Sequence, residues 1–78
     1  MMQKKKIKMK SIYTAVIQRE GTWWFGWIEE VPGVNGQGRT RREFMANLRS
    51  ALKEALQMYR EQALAGINGD FEEVSIEV

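Results

Sequence analysis

The 78-residue sequence has no cysteine, no histidine and a single proline. Without cysteine there is no disulfide, no thiolate nucleophile and no cysteine-bound zinc, and without histidine the usual imidazole base and commonest metal ligand are missing. No apolar run approaches the roughly 20 residues that span a bilayer. The sequence therefore predicts a cytoplasmic protein that is not an enzyme, needs no metal or cofactor and does not enter a membrane.

The basic residues are unevenly distributed along the chain. The first ten positions contain five lysines: Lys4, Lys5, Lys6, Lys8 and Lys10. Residues 11–78 carry seven basic and ten acidic side chains, which is a net charge of −3. Because short terminal lysine runs are usually solvated, the sequence predicts a flexible basic tail at 1–10 and one folded domain at 11–78.

Three segments in the first half of the domain are typical of β-strands. Residues 11–20 are rich in β-branched and aromatic side chains, and Trp23–Ile28 follows after a connection short enough for a hairpin. Pro32 and Gly33 then favour a turn, after which residues 34–37 can return as a third strand. We expect a three-stranded meander, with the glycines of segment 33–38 serving its turns.

A long helix is predicted after Thr40. Thr40 and Glu43 have the spacing of a capping box, in which a hydroxyl and a carboxylate each accept a hydrogen bond from a free backbone N–H. Apolar residues then recur every three or four positions: Phe44, Leu48, Ala51, Leu52, Ala55, Leu56, Tyr59 and Ala63. Gly66 suits a left-handed helix terminus, so the helix is expected to run from Arg41 to Ala65.

The last five residues, 74–78, alternate apolar and polar side chains, as in an edge strand with one buried face. A helix that crosses back over the sheet would place this strand beside the first one. The sequence thus predicts an α+β fold of the β-β-β-α-β type. It is a two-layer sandwich with sheet order 3-2-1-4 and one long helix on one face.

The second strand carries bulky side chains on both of its faces. Trp23, Phe25 and Trp27 alternate with Trp24, Gly26 and Ile28, yet one helix can cover only one face of a sheet. The predicted helix is about 37 Å long, whereas strands of six residues are about 20 Å long. Part of its apolar stripe would therefore extend beyond the sheet. We therefore expect a homo-oligomer or another partner to cover the remaining apolar surface, through Tyr13, Trp23, Trp24, Trp27 and Tyr59.

Other interpretations remain open at this stage. Trp23, Trp27 and the basic tail could bind single-stranded nucleic acid by stacking, although the acidic domain argues against this. A small-ligand enzyme is a third hypothesis. Glu29 and Glu30 are interpreted as solvated charges, since adjacent residues of an extended segment point to opposite sides. The acidic residues Glu72, Glu73 and Glu77 suit either a basic partner or a soluble edge strand.

The motif positions, taken together, resemble a known family. The segments Tyr13-Thr-Ala-Val-Ile, Glu30-Val-Pro-Gly-Val34 and Gly36-Gln-Gly-Arg-Thr40, followed by Glu43 and the helix, are similar to the HicB antitoxin domain. The resemblance extends over residues 11–78. Its best-matched positions belong to turns and the helix cap: Pro32, Gly33, Gln37, Gly38, Thr40 and Glu43.

The resemblance implies a partial ribonuclease-H-like fold that neutralises a HicA-type mRNA interferase toxin in a type II toxin-antitoxin pair. Four positions depart from the usual family pattern: Val34 stands where Cys is frequent, Arg39 where Asp is usual, and Arg42 and Phe44 where Glu and Ala are usual. Many family members continue into a DNA-binding domain, whereas this sequence ends at Val78. Direct DNA binding is therefore not expected.

Overall fold

The computed structural model describes residues 12–78, so the predicted tail at 1–10 lies outside the described residues, as does Ser11. The described chain forms three strands and one helix: β1 (Ala15–Glu20), β2 (Trp23–Ile28), β3 (Asn35–Gly38) and α1 (Arg41–Leu64). The strands form an antiparallel sheet in the order β1-β2-β3, and the helix packs on one face. The predicted α+β class and meander are confirmed.

The first strand starts later than the sequence suggests, at Ala15 instead of Ser11. Just before β1, the backbone groups of Thr14 bond to the β2–β3 connection. Its carbonyl accepts a hydrogen bond from the Glu29 N–H at 2.9 Å, and its N–H donates to a carboxylate oxygen of Glu30 at 2.7 Å. These bonds fasten the entry of β1 to the turn after β2.

The helix begins and ends within one residue of the prediction. The Thr40 hydroxyl accepts a hydrogen bond from the Glu43 N–H at 3.0 Å, and the Glu43 carboxylate accepts one from the Arg39 N–H at 2.7 Å. The cap thus satisfies two backbone donors, although the carboxylate bonds to the N–H of Arg39, one residue before the Thr40 N–H that a capping box uses. At the other end the chain turns through Gly66, whose φ of +83° is the left-handed conformation that favours glycine.

The core lies between α1 and the sheet and is small. Among the described residues its buried side chains are Ile28, Val31, Val34, Phe44 and Leu48. Gly36 and Gly38 allow the helix to approach β3, because a Cβ on Gly38 would lie 2.6 Å from the backbone nitrogen of Phe44. Gly36 thus lies in the predicted third strand, and Gly38, expected in a turn, is instead the last residue of β3 beneath the helix.

The predicted fourth strand is not formed in the structure, so the observed order has three positions and not the predicted 3-2-1-4. Residues 71–78 have no regular secondary structure, and Val74 and Ile76 are 70% and 84% exposed. The Arg60 guanidinium and the Glu73 carboxylate, 3.1 Å apart, hold the chain beside α1 after the turn. Alternation alone does not make a strand, because a strand also requires backbone partners in a neighbour.

Candidate interaction surface

The sheet face turned away from α1 carries an aromatic row. Gly26 lies against Phe44, so its neighbours Phe25 and Trp27 point to the opposite side, together with Trp23. The strand register places three β1 residues and two β3 residues beside this row. We call this surface the open face; it consists of Val16, Gln18, Glu20, Trp23, Phe25, Trp27, Asn35 and Gln37.

Two indole rings on the open face are substantially exposed: Trp23 by 45% and Trp27 by 42%. Gln18 and Glu20 lie on one side of the aromatic row, and Asn35 and Gln37 lie on the other. An apolar centre bordered by polar groups is the usual composition of a protein interface. The open face therefore has the arrangement expected of a contact surface.

Opposite charges flank one end of the aromatic row. Glu20 is the β1 partner of Trp23 in the strand register. On the β3 side, the guanidinium carbon of Arg39 lies 5.9 Å from the centre of a Trp23 ring, within the range of a cation–π contact. Trp23 thus lies between a negative and a positive side chain.

The five predicted interface residues do not form one surface. Trp23 and Trp27 lie on the open face, but Trp24 and Tyr13 pack against the core on the helix side. The Arg19 guanidinium covers Trp24, with its carbon 5.0 Å from the ring centre. Tyr59 is 47% exposed on the distal half of α1. Phe25 was not among the predicted interface residues. It lies two positions from each exposed tryptophan in β2, and this spacing indicated that all three share one face.

The turn and cap residues of the resemblance have structural roles. Gly33 has a φ of +90° in the turn before β3, and Gly38 lies against the helix backbone. The side chains of Thr40 and Glu43 are engaged in the helix cap. These motif positions account for the fold and do not assemble a binding site.

A cleft opens beside the outer edge of β1, between that strand and α1. Its volume is about 370 Å³. Nearly all of its lining side chains are apolar, and Arg49 supplies a charge; the lining comprises Ile12, Tyr13, Ala15, Ile28, Met45, Leu48, Arg49 and Leu52. The cleft therefore suits an apolar strand or side chain that carries acidic neighbours.

Glu30 is not simply a solvated charge, as the sequence had suggested. Its carboxylate accepts a hydrogen bond from the Thr14 hydroxyl at 2.6 Å and another from the Thr14 N–H at 2.7 Å. These bonds, the hydroxyl first, lower the pKa of Glu30 below its ordinary value. The two residues are far apart in sequence, so only the register of β1 and β2 reveals the contact.

We expect Thr14→Val to raise the pKa of Glu30 towards its ordinary value, because the variant lacks the hydroxyl donor. A carboxylate with a lowered folded-state pKa stabilises the fold above its unfolded-state pKa, and this stabilisation is lost as pH falls through the folded-state value. Carbon-detected NMR titration measures the pKa, and thermal unfolding from neutral to acidic pH follows the stability. The variant should lose less stability in acid than the parent; identical titration curves would contradict the contact.

Among residues 12–78, no group of three or more acidic side chains is placed to hold a metal ion. Within the same range, no helix combines the length and hydrophobicity needed to cross a membrane. The chain matches no family model, and no match was found among curated proteins or solved structures.

Proposed function

We propose that this chain is a non-catalytic protein-binding domain of the HicB antitoxin type, which binds its partner through the open face. The observation that carries the proposal is the exposed aromatic row of Trp23, Phe25 and Trp27 on the side of the sheet away from α1. The resemblance at the turn and cap positions supports the same assignment: Gly33 has a positive φ in its turn, and Thr40 and Glu43 form the helix cap.

The aromatic row can supply substantial binding free energy. A tryptophan that is about two-fifths exposed presents on the order of 100 Å² of accessible surface, and its burial is worth about 2.5 kcal/mol. Trp23 and Trp27 are both in this range. Buried tryptophans are also among the commonest binding hot spots in protein interfaces. A partner that covers both rings therefore gains several kcal/mol from this surface.

The charge of the domain favours a basic partner. Residues 11–78 carry a net charge of −3, and the acidic segment Asp70–Glu77 adds a local concentration of negative charge. Complementary charge accelerates association and selects against partners of like charge. A small basic toxin of the HicA type fits this surface chemistry. We propose such a toxin as the partner.

Single-stranded nucleic acid is the second candidate, because Arg39 lies over Trp23 at the end of a row of stackable rings. Glu20 on the other side of Trp23 would repel phosphates, and the domain is acidic. Fluorescence titration distinguishes the candidates, since tryptophan quenching by short oligonucleotides with a steep salt dependence is expected only for the nucleic-acid binder.

The decisive experiment co-expresses the chain with the protein encoded by the neighbouring gene. The proposal expects rescue of growth and a complex that co-purifies. Trp27→Glu should abolish both effects, because it removes an exposed indole ring and places a charge in the aromatic row. Tyr59→Glu is the matched control, since Tyr59 is similarly exposed but lies on α1, away from the open face. The antitoxin assignment is wrong if the parent neither rescues growth nor forms a complex, and the open-face contact is wrong if Trp27→Glu still binds.

We further propose that the segment Val74–Val78 completes the sheet as a fourth strand beside β1. This strand would give the order 3-2-1-4 of a partial ribonuclease-H-like fold. The support is geometric: β1 has an outer edge without a strand partner in the described chain, and the apolar cleft lies directly beside it. Val74 and Ile76 are both exposed, and in a strand their side chains would share the side that faces the cleft.

Ile76→Asp tests the fourth strand. If Ile76 enters the cleft, the variant should lose about 2 kcal/mol or more in the free energy of unfolding, since an apolar side chain is replaced by a charge. Glu77→Gln is the control on the opposite side of the segment and should change stability little. Urea denaturation measures both variants. Equal stability of parent and Ile76→Asp would show that the segment stays outside the cleft.

A further inference from the structure

We infer that two copies of this chain pair through their open faces, with Glu20 of each copy beside Arg39 of the other. This inference rests on the proposed role of the open face in binding and names a second copy as one of its partners. It follows from the placement of charge on the two sides of the aromatic row.

The open face is asymmetric across its strands. The β1 side ends in Glu20, and the β3 side continues directly into Arg39 after Gly38. Both charged residues lie at the Trp23 end of the aromatic row. Each copy thus presents a negative charge on one side of the row and a positive charge on the other, at the same height along the strands.

Only one of the two simple symmetric arrangements pairs these charges. A two-fold axis parallel to β2 lays β1 of one copy over β3 of the other and keeps the same ends together. Glu20 then faces Arg39 of the second copy, and Gln18 faces its Gln37. A two-fold axis perpendicular to the strands instead places β1 of one copy antiparallel over β1 of the other. Glu20 of each copy then lies against Val16 of the other. That arrangement buries a charge without a partner, which is strongly unfavourable.

The parallel arrangement also matches how sheets pack. Face-to-face sheets lie about 10 Å apart with strand directions within about 30° of each other, so the three aromatic side chains can interdigitate with their equivalents. Because a two-fold axis relates the two copies, Glu20 of each copy contacts Arg39 of the other, and both contacts form together.

The size of the open face sets the strength of the pairing. Three strands about 4.8 Å apart and at most six residues long span a flat footprint of only about 290 Å² per copy. The pair should therefore be weak and reversible. Such a pair keeps the aromatic row covered at high concentration and releases it to a partner with a larger contact area.

Charge reversal provides the test. Sedimentation equilibrium of the parent over a wide concentration range should show a monomer–dimer equilibrium. Glu20→Arg and Arg39→Glu should each weaken self-association by about tenfold or more, because each variant places like charges opposite one another. Mixing the two variants should restore pairing as a heterodimer, since each copy then complements the other. The double variant should also self-associate, with both contacts inverted.

Lys53→Glu changes the charge of an exposed residue on α1 and should leave pairing unchanged. Circular dichroism confirms that every variant is folded. A parent that stays monomeric at millimolar concentration overturns the inference, as does a mixture of the two reversed variants that fails to pair. Neither result affects the co-purification assay with Trp27→Glu, so a failure of this inference and a failure of the proposed function are separately visible.

Discussion

Replacing Phe44 with alanine is expected to remove most or all of the stability of the domain. Phe44 is fully buried and lies between α1 and the centre of the sheet. A buried Phe→Ala substitution lowers the free energy of unfolding by about 3 to 5 kcal/mol, through lost burial and the cavity that remains. A chain of this length has about 4 to 12 kcal/mol in total, so the loss is a large fraction of it.

The size of this effect follows from the small core. The described chain has five buried apolar residues, and Phe44 and Leu48 are its largest fully buried side chains. Urea denaturation followed by circular dichroism measures the change, with Met58→Ala as the control because Met58 is half exposed on the same helix. A loss for Phe44→Ala no larger than that of Met58→Ala would contradict the proposed core.

Gly26→Ala should destabilise the domain as severely, although it adds only a methyl group. Gly26 is buried in the middle of β2, and a Cβ there would overlap the carbonyl oxygen of Val16 and lie 3.1 Å from Cζ of Phe44. The overlapping atom belongs to the paired backbone of β1 and cannot rotate away as a side chain could. We expect a loss of about 3 kcal/mol or more, at the upper end of overpacking effects.

The control for Gly26→Ala is Gly21→Asn in the β1–β2 hairpin. Gly21 has a φ of +63° and open space around its Cα, and asparagine tolerates this left-handed conformation better than most residues. Gly21→Asn should therefore lose less than about 1 kcal/mol. Thermal unfolding of both variants gives the comparison. Similar melting temperatures for parent and Gly26→Ala would mean that β1 and β2 are not held as closely as the structure shows.

The helix was predictable because its signals are local. The capping residues Thr40 and Glu43 are three positions apart, and the apolar stripe repeats every three or four residues. The hairpin between β1 and β2 was predictable for the same reason, since Gly21 and the short connection act within a few residues.

The candidate site was only partly predictable. The alternation in β2 separated Trp23 and Trp27 from Trp24, but nothing local indicates which of the two sets faces the helix. That choice depends on Gly26, the helix-side position of β2 where the ring of Phe44 comes close. Tyr13 and Trp24 were consequently assigned to an interface although they pack against the core.

The sequence by itself determined the order of the three observed strands and the helix, the helix cap and the existence of a surplus aromatic row, although it also predicted a fourth strand that the described chain does not form. These features depend on neighbours within a few residues, whose preferences act before any tertiary contact exists. The tertiary structure alone decided which face of the sheet is open, that Thr14 binds Glu30, and that Gly36 and Gly38 lie beneath α1. Those outcomes depend on strand register and on the approach of the helix, which bring together residues that are distant in sequence.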